Sequence, residues 1–302
     1  MKTSFKTTLI FTFILFMVTF PLISSDSNPI PIKEEKIKSG DVTLFMRIVG
    51  NPDSSPIMIA INGGPGQSSH YMKTLEQLAG PNLTVVTFDQ RGTGRSSESK
   101  EGYALQKYVF DIDAIRQHLK AKNIILFGHS FGGILAQRYA SIYPGRVKSM
   151  ILMGSGPPMV QAILAAQMKL GARIQKLVRE GIITGPQPTE PARLLEYMLP
   201  AYFSNPKFPI PIELKESSFH MAVGQKTYSD SGAWDFREEL KAVSCPVLFL
   251  WGEDDPFGKD MADVTQKALS NAKLIPITIK KCGHYWQENL EDFFTHIKNF
   301  LE

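Results

Sequence analysis

Gly128-His129-Ser130-Phe131-Gly132 sets a serine between glycines. An apolar run, Asn123-Ile-Ile-Leu-Phe127, leads into it, and a stretch with helical character, Ile134 to Tyr143, follows. A G-x-S-x-G string alone is weak, because short strings recur by chance. Its flanks give it meaning here. A sharp strand-to-helix turn needs small residues on both sides of the serine, strains its backbone, and lifts Oγ above the C-terminal edge of a sheet. The chemistry implied is nucleophilic attack on an acyl carbon. A serine hydroxyl is a poor nucleophile at neutral pH, so it needs a base, and the base needs an orienting acid.

With this elbow the acid and then the base follow the serine along the chain. Trp251-Gly252-Glu253-Asp254-Asp255-Pro256 comes after the penultimate predicted strand, and Lys281-Cys282-Gly283-His284 after the last. Both are strand ends on the edge that carries Ser130, where ligands sit in open α/β sheets. His284 is the candidate base. His118 and His296 fall in predicted scaffold helices, His70 follows a glycine-rich loop, His129 is inside the elbow, and His220 lies in an insert. For the acid, Asp255, three residues past Gly252, is preferred. Asp254 then reads as a helix cap or loop brace, and geometry has to decide between the two.

Acyl transfer builds negative charge on the carbonyl oxygen, and backbone N–H groups aimed at it supply much of the rate. Phe131, the residue after the nucleophile, is the first candidate donor. Ala60-Ile-Asn-Gly-Gly-Pro-Gly66 supplies the second, with Gly64 N–H preferred, since a glycine brings backbone close to a substrate without a Cβ. Pro65 is expected to follow a cis bond, as tight functional turns are where such prolines occur. A plain type II turn would use the same residues. Asn62 can brace this loop by hydrogen bonds but cannot titrate near neutral pH, so Asn62→His is expected to be tolerated.

The elements that position these residues alternate. Lys33 to Val49 reads as two strands joined at Ser39-Gly40. Strands follow at 57–61, 83–88, 123–127 and 147–153, with helices at 67–79, 105–120 and 134–143 between them. The pattern returns with strands at 246–251 and 273–279 and helices at 261–270 and 285–301. Alternation of this kind means βαβ units and a mostly parallel sheet. From 156 to 243 the chain is instead helical and rich in proline, which predicts a cap inserted on the sheet and splits the core into 33–155 and 244–302.

With 302 residues, 43% apolar and 21% charged, the chain suits one large α/β domain that needs no staples. Residues 1–25 carry two lysines, an apolar stretch and then small residues, and read as a signal peptide for export, periplasmic or secreted. An uncleaved N-terminal membrane anchor is the alternative. Cleavage removes Lys2 and Lys6, taking the net charge from +4 to +2. With no basic tract, nucleic acid is not an expected partner. Neither a metal nor a cofactor is expected. Cys245 precedes its strand and Cys282 follows its own, so in parallel neighbours they stand about 16 Å apart. That exceeds the disulfide limit of about 7 Å, and two free thiols are expected.

At these residues the chain resembles the α/β-hydrolase superfamily, and within it the proline iminopeptidase-like group. Gly63-Gly64-Pro65-Gly66 is similar to that group's oxyanion loop, usually His-Gly-Gly-Pro-Gly. Asp89-Gln-Arg-Gly-Thr-Gly-Arg-Ser96 is similar to its D-Q-R-G-x-G-x-S loop, and Gly128 to Gly133 to its elbow. Trp234-Asp-Phe-Arg237 looks like its return from the cap. Two departures stand out: Asn62 replaces the usual histidine, and the elbow reads GHSFGG rather than Gly-Gly-Ser-Trp-Gly.

The resemblance implies an α/β-hydrolase fold with an eight-stranded, mostly parallel sheet and a helical cap. It also implies a hydrolase that works through an acyl-enzyme on a small molecule or short peptide, with release of an N-terminal residue as the first substrate expectation. A carboxylesterase or lactonase is the second, and a non-catalytic binding protein on the same scaffold is the other class. An aminopeptidase must hold an α-ammonium with carboxylates, for which the insert offers Glu190, Glu196, Glu213 and Glu216. Met159, Tyr202, Phe203 and Phe208 suit an acyl pocket or the cap's own core. Asp89 and Arg91 could pair and brace the neighbouring loops, and structural bracing alone is the preferred role. The oligomeric state is not legible.

Overall fold

The computed structural model describes residues 29–302. The segment read as a signal peptide lies outside them. β1 (Ile32–Ser39) and β2 (Val42–Val49) form an antiparallel hairpin, and β2 continues antiparallel onto β4 (Thr84–Phe88). From there the sheet is parallel. β4 pairs with β3 (Ile57–Ile61), then follow β5 (Ile124–His129), β6 (Val147–Met153), β7 (Pro246–Gly252) and β8 (Lys273–Ile279). The order of the eight strands is β1-β2-β4-β3-β5-β6-β7-β8.

The short apolar runs are central strands buried on both faces, and the period-two geometry of a strand divides each run between two cores. Ile57, Ile59 and Ile61 enter one core while Met58 and Ala60 enter the other, and Ile124 and Leu126 part from Ile125 and Phe127 in the same way. The first core is covered by α1 (Leu105–His118), α2 (Phe131–Ile142) and α7 (Lys259–Ala268). The second is covered by a 3-10 segment (Ser69–Leu78) and α8 (Leu290–Leu301), with Trp286 and Phe293 stacked at 5.1 Å. The helix expected at 67–79 is therefore of the tighter 3-10 type.

Between β6 and β7 lie α3 (Val160–Arg179), α4 (Pro191–Tyr202), α5 (Ile212–Lys215) and α6 (Met221–Ser231). No strand of the sheet falls in this stretch of the described residues. Cys245 and Cys282 are both free thiols, at opposite ends of the parallel neighbours β7 and β8. Among the described residues no helix is long and apolar enough to cross a membrane.

Candidate active site

Ser130 alone makes the turn between β5 and α2, at φ 53° and ψ −119°. A positive φ at a residue with a Cβ costs on the order of 1–3 kcal/mol and persists only where the surroundings over-determine it. Here they do. Ser130 N–H donates to Met153 O at 3.1 Å, and its carbonyl accepts from Gly133 N–H at 3.0 Å and Gly156 N–H at 2.9 Å. The helix is also pressed onto the end of β3, where a Cβ on Gly132 would lie 2.1 Å from Ile61 O. That close approach is why the elbow needs a glycine two residues after the serine.

His284 and Asp255 meet behind the turn. Nδ1–H of His284 donates to Asp255 Oδ2 at 2.8 Å, with side-chain exposures of 2% and 0%. This bond leaves Nε2 as the nitrogen able to take a proton. Asp255 Oδ1 accepts from Phe257 N–H at 3.0 Å, and the Phe257 ring stands edge-on to His284 with centroids 4.7 Å apart. Asp254 points elsewhere: its Oδ2 accepts from Ser204 Oγ at 2.5 Å. The neighbouring aspartates thus separate, one on the histidine and one bracing a loop.

The loop at 284 is also held by the end of α4 and the residues that follow it. His284 N–H donates to Tyr202 O at 2.8 Å. Glu288 accepts from Gly283 N–H (2.7 Å), Ser204 N–H (2.8 Å) and Asn205 N–H (3.0 Å), so one carboxylate joins the two segments. Its burial pushes its pKa up, against the pull of those donors.

Ser130, Phe131, Gly64 and His284 all line one cavity of about 350 Å³. No hydrogen bond joins Ser130 Oγ to His284 among the described residues. Such bonds are often long without substrate. Neither Gly64 N–H nor Phe131 N–H donates to an acceptor among the described residues. The rest of the wall is largely apolar and comes from both sheet edge and insert, including Ile163, Leu170, Leu195, Met198, Phe219 and Met261. Tyr202, Tyr228, Gln167 and Gln225 add neutral polar groups.

The loop through Gly64 is braced from two sides. The Gly64–Pro65 peptide is cis. Asn62, fully buried, donates from Nδ2 to Gly63 O at 3.0 Å and Gln67 O at 2.6 Å. The insert completes the clamp: His220 N–H donates to Gly66 O at 2.8 Å and Ser68 N–H to Ser218 O at 2.9 Å, with Gln67 bridging Phe219 in antiparallel fashion.

The Asp89–Arg91 pair does not form. Arg91 turns under the loop to Asp111 on α1, at 2.8 and 2.9 Å, both side chains almost wholly buried. Asp89 instead accepts from Ser69 N–H (2.9 Å), Ser69 Oγ (2.8 Å) and Arg95 N–H (2.8 Å). Both residues brace, but each to a different element. Of the four glutamates, none lines the cavity. Glu216 pairs with His70 at 2.8 Å, and Glu190 and Glu196 line a separate groove. Phe203 packs in the core against Phe208, while Tyr202 reaches the cavity.

Residues 56–289 match the alpha/beta hydrolase fold family, and the chain belongs to it. It is an enzyme of the α/β-fold hydrolase class. The proline iminopeptidase of Thermoplasma volcanium is 25% identical over 284 residues, which cover 88% of this chain and 95% of that one. The proline iminopeptidase of Lactobacillus delbrueckii subsp. lactis is 29% identical over 279 residues, covering 85% and 94%. Among solved structures, proline iminopeptidase of Mycobacterium smegmatis has the same fold, with a TM-score of 0.69 at 20% identity over 89% of this chain and 97% of that one. The proline iminopeptidase-like resemblance extends over most of the chain's length.

Proposed function

We propose that this chain is an exported serine hydrolase in which Ser130 is the nucleophile, His284 the general base and Asp255 the acid that orients it. The convergence on one cavity of strained Ser130, of His284 held by Asp255, and of two uncommitted N–H groups supports this reading most strongly. Ser130 Oγ attacks the acyl carbon while His284 Nε2 takes the hydroxyl proton. The oxyanion forms against Gly64 N–H and Phe131 N–H, each donor of this kind contributing roughly 10²–10³ in rate. His284 then gives its proton to the leaving group as the acyl bond breaks. A water, deprotonated by the same nitrogen, attacks the acyl-enzyme and frees the acid and Ser130.

The full-length relatives support a short peptide as substrate, with release of an N-terminal proline-like residue. A pyrrolidine ring suits the apolar wall. Helices α3–α6 then act as a cap over a core of 33–155 and 244–302. The apolar wall also favours a second reading, a carboxylesterase or lactonase acting on small neutral esters. A free α-ammonium against such a wall costs several kcal/mol unless a carboxylate meets it. Fluorogenic prolyl-amide and short-chain ester substrates, assayed side by side, separate the two. Amide turnover that disappears in Ser130→Ala is expected. Turnover of esters alone rejects the peptidase reading. Export is tested by fractionation of the full chain, and retention of the uncleaved chain in the cytoplasm rejects it.

A further inference from the structure

Behind the elbow, three buried hydrogen bonds connect the Gly64 loop to the His284 loop, and none belongs to the machinery above. Gly63 N–H donates to Tyr71 Oη at 2.6 Å. Tyr71 Oη lies 2.7 Å from Nδ1 of His129. His129 Nε2 lies 3.0 Å from the backbone oxygen of His284. Tyr71 is fully buried, and His129 and His284 nearly so.

Chemistry fixes the direction of every proton in this chain. The His284 carbonyl can only accept, so His129 Nε2 carries a hydrogen. If Nδ1 carried one as well, Tyr71 Oη would receive hydrogens from both Gly63 and His129, and its own proton would have no acceptor among the described residues. A buried imidazolium would also face His284 without a carboxylate of its own. Nδ1 is therefore bare and accepts from Tyr71, whose oxygen accepts from Gly63. Burial, and then the nearby His284, hold the His129 pKa well below its ordinary value, in keeping with a neutral ring.

We propose that Tyr71 and His129, the latter locked as the Nε2–H tautomer, are positioning residues that couple the oxyanion loop to the His284 loop. The proposal rests on the serine-hydrolase reading. Ser130 lies directly after His129 in the chain, so one rigid relay spaces the loop that receives the oxyanion from the loop that holds the base. A Cβ on Gly63 would lie 3.0 Å from Ser130 Cβ and 3.2 Å from both His129 Nδ1 and Tyr71 Oη, so the three segments are in contact as well as bonded. A small error in such spacing costs catalysis rather than binding, up to about 100-fold for a displacement near 1 Å.

Two measurements test it. In the wild-type protein, ¹⁵N imidazole spectra should show His129 as a neutral Nε2–H ring that does not titrate from pH 5.5 to 8.5. A ring titrating near pH 6.5, or carrying its hydrogen on Nδ1, overturns the proposal whatever the enzyme does. In Tyr71→Phe, kcat per site titrated with a fluorophosphonate should fall about 10- to 100-fold with KM nearly unchanged. His129→Gln, which keeps a donor for the His284 carbonyl, should recover part of what His129→Ala loses. Unchanged kcat per titrated site in a folded Tyr71→Phe overturns the positioning role. Failure of the wild type to react with the fluorophosphonate rejects the serine-hydrolase reading instead, a separate outcome from the tautomer result.

Discussion

Gly154 packs directly against His284. A β-carbon at Gly154 would stand 3.0 Å from His284 Nδ1 and 3.2 Å from Asp255 Oδ2, and its φ is +52°. The end of β6 thus forms the floor under the histidine–aspartate bond, and only a glycine leaves room for it. Gly154→Ala is expected to cost about 2–3 kcal/mol through overpacking and the positive φ. It should also lower kcat more than tenfold by pushing the pair apart. Thermal unfolding and steady-state kinetics on the one variant check both. An active, stable alanine variant would show that the pair has slack.

The two aspartates should separate by a wide margin. Asp255→Asn leaves His284 Nδ1 facing an amide and favours the wrong tautomer, an effect of about 10⁴ in kcat in the Ser-His-Asp template. Asp254→Asn weakens only the bond to Ser204 Oγ and should change kcat less than about threefold. Equal losses in the two variants would reassign the acid.

Asn62 uses both hydrogens of Nδ2 on the carbonyls of Gly63 and Gln67. A histidine brings one N–H to that place and leaves one buried carbonyl unmet, at about 1–2 kcal/mol. Asn62→His should therefore lose that much stability in urea unfolding while kcat stays within a few-fold. A large fall in turnover at unchanged stability would give Asn62 a direct part in the chemistry.

Much of this was legible because burial on both faces writes parallel strands as unbroken apolar runs. Ile57–Ile61 and Val147–Met153 were readable to the residue. The elbow, His284 and the Asp255 alternative followed from small residues and strand ends. Less local features were not. Arg91 and Asp89 lie two apart and carry opposite charge, yet Arg91 goes to Asp111, 20 residues on, because the loop turns it beneath α1. His129 stood in the elbow, but its partners are 58 residues before it and 155 after it, and only the folded chain shows them. Nothing in the run Ser69–Leu78 marked Tyr71, and the short α5 and the Ser218–His220 clamp have too few residues to show a period.

His129 also predicts a pH dependence of stability. Its folded pKa is held below the unfolded value of about 6.5 by burial and by His284. Below about pH 6.5 the unfolded chain takes up a proton that the folded ring refuses, so stability falls as pH falls and is unaffected above that value. The limiting slope for one such group is about 1.4 kcal/mol per pH unit. Urea midpoints from pH 8 to pH 5 should decline more steeply in the wild type than in His129→Gln, which has no group to protonate there. Parallel curves would mean that His129 titrates in the folded state.

The proposed mechanism stands or falls on Ser130 forming the covalent intermediate. Its most direct test is fluorophosphonate labelling of the folded protein, followed by peptide mass mapping. One adduct is expected, on Ser130, absent in Ser130→Ala, slowed by orders of magnitude in His284→Ala, and matched mole for mole by loss of hydrolysis. Hydrolysis that continues with Ser130 fully modified, or in Ser130→Ala, would contradict it.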